Sequence, residues 1–182
     1  MKVIGIVGMP GSGKSEAADV ARSMGIPVIV MGDVVRKGVA DSGQKINSKT
    51  LRSMMIELRK EYGKGVVAER CLPEIRSHKS KDIVVVEGLR SLNEVETFRV
   101  EIPDFTIVAI HSSPKTRYDR LRERRRKDDP STWEEFKRRD RLELRIGIGD
   151  VIALADIVVS NEGAHSQFRK NMTKIMATGN YK

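Results

Sequence analysis

Residues 8–15 read Gly8-Met9-Pro10-Gly11-Ser12-Gly13-Lys14-Ser15, which completes the spacing G-x-x-x-x-G-K-S. The chemistry of this spacing is the capture of phosphate. Gly11 and Gly13 can adopt positive φ and carry no Cβ, so backbone N–H groups come close to phosphate oxygens. Lys14 is placed to reach the β- and γ-phosphates and Ser15 to ligate Mg²⁺. A helix starting at this point adds the positive end of its dipole to the same anion site. Lys2 to Val7 before the loop is an apolar, β-branched run. Glu16 to Met24 after it repeats Ala17, Ala18, Ala21 and Met24 at helical spacing until Gly25-Ile26-Pro27. Strand, glycine turn and helix are the context that makes the motif a P-loop, although it leaves ATP and GTP equally open.

Further chemistry clusters just past other apolar runs. Gly32-Asp33, followed by Arg36 one helical turn later, sets a carboxylate and a guanidinium beyond the run Val28 to Met31. Glu87 ends the run Ile83 to Val86, where P-loop proteins carry the acidic residue that orients metal-bound water, and Arg90 follows it. From Arg117 to Arg126 the chain reads RYDRLRERRR. On one continuous helix Arg122 and Arg126 would share a face, and Arg120 and Arg124 the neighbouring stripe. Arg138 and Arg139 lie on the next helical segment. Arginine suits phosphoryl chemistry because its planar, permanently charged fork spans two phosphate oxygens. Glu123, Glu134, Glu135, Asp140 and Glu143 are interleaved, so only two or three of these arginines are expected to meet phosphate. His78, His111 and His165 have neither metal spacing nor a nucleophile to serve.

The elements that must position these groups are short. Lys2 to Val7, Val28 to Met31, Ile83 to Val86, Phe105 to Ile110 and Ile157 to Val159 are continuous apolar runs, the pattern of strands covered on both faces. Helical periodicities lie between them: Leu51, Met54, Met55, Leu58 and Tyr62 after an Asn47 or Ser48 start, then Val67, Ala68, Cys71, Leu72 and Ile75. Ser91 with Glu94, and Ser131 with Glu134, read as capping boxes, and Ser113-Pro114 as a helix start. Trp133, Cys71 and the Met54-Met55 pair read as packing residues. The fold class is α/β, with three layers and a five-stranded, mainly parallel sheet between helices.

The 182 residues fit one compact domain, residues 1–182. A single cysteine excludes an internal disulfide framework and points to a reducing, cytoplasmic setting. No apolar run reaches membrane-spanning length and no leader is expected. The net charge of +9 calls for an anionic partner. Lys115 to Arg145 alone holds thirteen Lys or Arg against eight Asp or Glu. Aromatic residues are only 4%, which argues against single-strand stacking and makes nucleic acid the less favoured anion. A concentrated arginine supply near bound nucleotide phosphates explains the same cluster.

Gly25-Ile26-Pro27, Gly32-Asp33, Arg36 and Arg126-Lys127-Asp128-Asp129, together with the P-loop, resemble the adenylate kinase superfamily of nucleoside monophosphate kinases. That resemblance extends over Met1 to about Ala177, and more closely still the chain resembles an archaeal adenylate-kinase-related family of P-loop proteins. The resemblance implies ATP and Mg²⁺, with residues Gly8 to Ser15 holding nucleotide and Ser15 and Glu87 serving the metal. It also implies that Asn161 and Gly163 border the base. Asp33, Arg36 and Arg90 would hold the acceptor in a helical region of about residues 33–77. Lys14, Arg122, Arg126 and Arg138 would stabilise the moving phosphoryl group under a short basic lid, about residues 120–139. This chain has Glu87-Gly88-Leu89-Arg90 where the kinases have Asp-Gly-Phe-Pro-Arg, and its lid is shortened. The implied activity is transfer of the ATP γ-phosphoryl group to a small phosphorylated acceptor. Two alternatives remain open, a hydroxyl-acceptor kinase of the dephospho-coenzyme A kinase type and a nucleic-acid-associated ATPase or switch.

Overall fold

The computed structural model describes residues 1–126 and 129–178. Five strands form one sheet: β1 (Lys2–Val7), β2 (Val28–Val30), β3 (Ile83–Glu87), β4 (Phe105–His111) and β5 (Ile157–Ser160). Their order is β2-β3-β1-β4-β5 and every pairing is parallel. In the centre Ile4 lies opposite Val85 on one side and Thr106 on the other. Around the sheet run α1 (Lys14–Ser23), α2 (Met31–Asp41), α3 (Ser48–Tyr62), α4 (Val66–Ser77), α5 (Leu92–Glu101), α6 (Pro114–Arg124), α7 (Trp133–Ile146), α8 (Ile148–Ala153) and α9 (His165–Thr178). None of the described helices is long and apolar enough to cross a membrane.

Side-chain alternation along β1 explains why its sequence is apolar throughout. Val3 and Val7 face one core with Val84, Val86, Ile107 and Ala109, roofed by residues of α2 to α5 and α8. Ile4 and Ile6 face the other with Val85, Val108 and Ile110, closed by α1 and α9. A strand buried on both faces has no polar position to alternate with. Cys71 lies fully inside the first core, where burial pushes its thiol up to about 12. Gly5 serves that core too, because a Cβ there would stand 2.6 Å from Leu89 Cδ1 and 2.7 Å from Phe105 Cζ. The space it leaves admits Leu89, which anchors the loop between Glu87 and Arg90.

The helix starts follow the sequence reading with small shifts. Asn47 caps α3 by accepting from the N–H groups of Lys49 and Thr50, and Gly63 ends that helix. Ser113 caps α6 ahead of Pro114. The second capping box falls one residue later than expected: Thr132 pairs with Glu135, whose carboxylate also accepts from the N–H and hydroxyl of Ser131. Strand β2 yields Met31 to α2, so Gly32 and Asp33 occupy the first helical turn. The expected common face of Arg122 and Arg126 does not form, because α6 stops at Arg124 and Arg125 turns left-handed at φ 50°.

Parallel strands bring their C-terminal ends to one edge of the sheet. Val7, Val30, Glu87, His111 and Ser160 therefore deliver the P-loop, α2, the Gly88 to Arg90 loop, α6 and the Asn161 loop side by side. Glu94, only 2% exposed, ties the Gly88 to Arg90 loop to α3. It accepts from Arg59 of α3 at 2.8 Å and from the N–H groups of Arg90 and Ser91 at 2.8 and 3.3 Å. Removing one partner of a buried, hydrogen-bonded ion pair leaves the other uncompensated. Glu94→Ala is expected to cost about 3 to 5 kcal/mol in urea denaturation, and Glu94→Gln, which keeps an acceptor for the two amides, clearly less.

Candidate functional site

The P-loop is held from both sides. Its inner wall is Asn161, whose Nδ2 donates to the Ser12 carbonyl at 2.9 Å. The Ser112 hydroxyl donates to the Asn161 carbonyl at 2.8 Å and lies 3.3 Å from the Ser12 carbonyl. Its outer wall is α6: a Cβ on Gly11 would meet the Arg117 carbonyl at 2.7 Å, and Arg117 Nη1 donates to the Pro10 carbonyl at 3.1 Å. Gly11 (φ 82°) and Gly13 (φ 109°) take the left-handed conformations expected of them, and a Cβ on Gly13 would stand 2.2 Å from Asn161 Nδ2. No side chain caps the start of α1, so its positive end faces the loop, and Ser15 beside it is exposed. Lys14 curls into the loop, donating to the carbonyls of Gly8 at 2.7 Å and Met9 at 3.3 Å.

Four charged side chains act on Lys14 electrostatically: Glu87, Arg90, Glu143 and Arg139. Burial lowers the Lys14 ammonium to about 8; Glu87 and Glu143 push the other way, while Arg90 and Arg139 add to the lowering. Arg90 Nη1 lies 3.4 Å from Glu143 Oε1 and Glu143 Oε2 is buried without a partner. On α2 Arg36 pairs with Asp33, and both side chains are more than half exposed. The donor set fits a magnesium ion: one hydroxyl, Ser15, one carboxylate, Glu87, and phosphate oxygens to complete it, the arrangement Mg²⁺ takes in phosphoryl-transfer sites. Among the described residues no group of three or more His, Cys, Asp or Glu forms an alternative metal cage.

In the segment expected to form a lid, one aspartate gathers several arginines. Asp129 accepts from Arg124 at 3.0 and 2.5 Å and from the Arg126 N–H at 2.9 Å, with Arg139 Nη1 at 3.4 Å. Burial would raise its carboxyl, but Arg124, the Arg126 amide and Arg139 hold it below the ordinary aspartate range. Arg122, Arg125 and Arg126 line a groove of about 650 Å³ with Asp119, Asp129 and Ser131. Lys127 and Asp128 lie outside the described residues.

The structure thus gathers Lys14, Ser15, Glu87 and Arg90 at one edge, with Asp33 and Arg36 on the neighbouring helix. Asn161 turns out to hold the loop: its amide donates to Ser12, its N–H to His111, and its carbonyl accepts from Ser112 and Arg120. Gly163 is exposed with open space where a Cβ would stand. Arg138 is exposed, and its neighbour Arg139 is the one that acts on Lys14. Arg122 lies over the Tyr118 ring at 5.7 Å. Trp133 packs as expected, stacked on Phe136 at 5.0 Å and edge-on to Tyr118. Asp140 and Glu143, which share the inward face of α7 with Arg139, were expected only as interleaved charges; the spacing of three and four residues could have grouped them but not aimed them.

Lys14 ties the site to pH. Its folded value, about 8, lies below the ordinary 10.5. The cost of burying the ammonium is therefore fully present below pH 8 and is relieved as pH rises toward 10.5, so this group makes the empty protein more stable across that window. Phosphate requires the charged form. ATP binding is expected to weaken about tenfold between pH 7 and pH 9 and to take up close to one proton at pH 9, read by calorimetry in buffers of different ionisation heat. Lys14→Arg should remove the proton uptake, since arginine stays charged.

Residues 7–137 match the AAA domain family. A UPF0200 protein of Hyperthermus butylicus is 46% identical over 175 residues, spanning 96% of this chain and 93% of its own. Another, from Pyrococcus horikoshii, is 45% identical over 178 residues and 96% of each chain. Among solved structures, TT1252 from Thermus thermophilus matches with a TM-score of 0.65 at 20% identity, over 97% of this chain and 96% of its own. Shikimate kinase from Acinetobacter baumannii gives 0.62 at 16% identity over 100% and 96%. Dephospho-CoA kinase from Campylobacter jejuni gives 0.61 at 15% over 97% and 96%. At such identities the solved structures speak to fold, and that fold is the P-loop kinase-like α/β sheet. With relatives this close over nearly its whole length, the chain belongs to the AAA domain family and to the archaeal UPF0200 proteins, in line with the archaeal P-loop kinship expected from its motifs.

Proposed function

We propose that the protein is an ATP- and Mg²⁺-dependent kinase that transfers the γ-phosphoryl group to a small phosphorylated acceptor, in the manner of nucleoside monophosphate kinases. The observation that carries this reading is the set of charged side chains that act on Lys14. Two arginines and two carboxylates from β3, its following loop and α7 act electrostatically on the lysine of a complete P-loop. Lys14 and the amides of Gly11 to Ser15 hold the ATP phosphates, aided by the open end of α1. Ser15 and Glu87 would hold Mg²⁺, which when bound offsets charge between the β- and γ-phosphates. Arg36 and Arg90 take the acceptor's phosphate. Arg90 is released from Glu143 to do so, an exchange that its loose 3.4 Å contact permits. Arg139 neutralises the moving group from α7, the part expected of Arg138, while Arg122 and Arg126 cover it from the rim of the lid. Catalysis is positioning and charge stabilisation, and a phosphate acceptor needs no general base.

One observation supports a second reading. Asp33 presents an exposed carboxylate beside Arg36 at the head of α2, where it could take the proton of an attacking hydroxyl. The fold neighbours shikimate kinase and dephospho-CoA kinase fit such an acceptor. A panel of nucleoside monophosphates and hydroxyl acceptors, incubated with Mg²⁺ and ATP and followed by ADP formation, decides between them. Activity on a monophosphate that falls about a hundredfold or more in Lys14→Ala and under about tenfold in Asp33→Asn supports the first reading. Loss of about a hundredfold or more in Asp33→Asn marks a hydroxyl acceptor. No turnover above the Lys14→Ala background with any acceptor overturns the kinase assignment.

A further inference from the structure

Arg117 lies outside the P-loop motif, yet it is the most heavily engaged arginine at the sheet edge. It is 4% exposed. Its Nε donates to the Ser112 carbonyl at 3.1 Å and its Nη1 to the Pro10 carbonyl at 3.1 Å. Both terminal nitrogens reach Asp140 of α7, at 2.8 and 2.5 Å, and the guanidinium lies 4.9 Å over the Phe136 ring. Four of its five N–H groups are thereby used, which is what keeps a buried guanidinium tolerable.

The same helix, α7, faces three parts of the site. Asp140 reaches the P-loop through Arg117, Glu143 reaches Arg90 past β3, and Arg139 reaches Asp129 in the lid. A rigid helix that grips one loop backbone through a two-pronged ion pair transmits its placement to that loop. A lysine could supply the charge but not the fork. Phe136 also stacks on Trp133, the only tryptophan of the chain, so a change at Arg117 is passed to a natural fluorophore through a shared ring.

We infer that the Asp140–Arg117–Pro10 chain is a positioning device for the nucleotide: it holds the P-loop in its phosphate-binding shape and couples that shape to α7. Arg117 is a positioning residue, since it acts through the Pro10 carbonyl. The inference rests on ATP occupying the P-loop.

The test measures Mg²⁺-ATP binding by calorimetry and by Trp133 emission on wild type, Lys14→Ala, Asp140→Asn, Arg117→Lys and the double variant. Thermal melts and circular dichroism establish that each is folded at the temperature of measurement. Asp140→Asn and Arg117→Lys are expected to weaken ATP about tenfold or more and to lose the ATP-induced change in Trp133 emission. The double variant should bind no worse than the weaker single one, because the residues act as a unit. Folded variants with a lower melting point but wild-type affinity and an intact emission change would reduce Arg117 to a structural brace and overturn the inference, while leaving the P-loop reading in place. Wild type that binds ATP no better than Lys14→Ala overturns both.

Discussion

Every group at the working edge of this protein depends on how the backbone from Gly8 to Lys14 is held. A loop that offers its amides to phosphate cannot satisfy itself internally, so its shape must come from outside. Here it comes from two clamps of different character. Asn161 and Ser112 grip the Ser12 carbonyl through neutral hydrogen bonds. Arg117, held in a buried ion pair with Asp140, grips the Pro10 carbonyl through a charge-assisted hydrogen bond. The glycines fit these clamps so closely that a methyl group at Gly11 or Gly13 would collide with them. Preorganisation of this kind removes ordering cost at the moment of binding.

The second constraint is electrostatic. Gathering Lys14, Arg90 and Arg139 at one edge would be self-repelling, and the two carboxylates Glu87 and Glu143 offset it. Even so, burial leaves the Lys14 ammonium well below its ordinary value, so the empty site favours the arrival of negative charge. Around the lid the same economy recurs. Asp129 collects Arg124, the Arg126 amide and Arg139, which ties the end of α6 to α7 around one carboxylate.

The edge is also covered from α7. Helix α7 crosses from the lid to the loop after β3, where a Cβ on Gly147 would stand 3.8 Å from the Arg90 carbonyl. Its inward face does part of the covering that a longer lid would otherwise do. Its aromatic start, Trp133 and Phe136 against Tyr118, fixes it to α6 and thereby to the P-loop.

What the sequence determined by itself was whatever local chemistry specifies. The glycine and lysine spacing of residues 8–15, the continuous apolar strands and the caps at Asn47, Ser91 and Ser113 each express a preference settled within a few residues, and the structure follows them. The site residues at strand ends were legible for the same reason: parallel strands have only one edge at which to deliver them. Partnerships across many residues were not legible. Arg117 and Asp140 are 23 positions apart and Asn161 meets Ser12 across 149, and no periodicity encodes either contact. Nor could spacing show that α6 would end at Arg124, removing Arg126 from the face of Arg122, or that Arg139 would turn toward Lys14 and Arg138 toward solvent. In a segment where charges alternate, every arginine has a plausible local partner, and only packing decides which guanidinium is buried, which braces a loop and which is left to meet a phosphate.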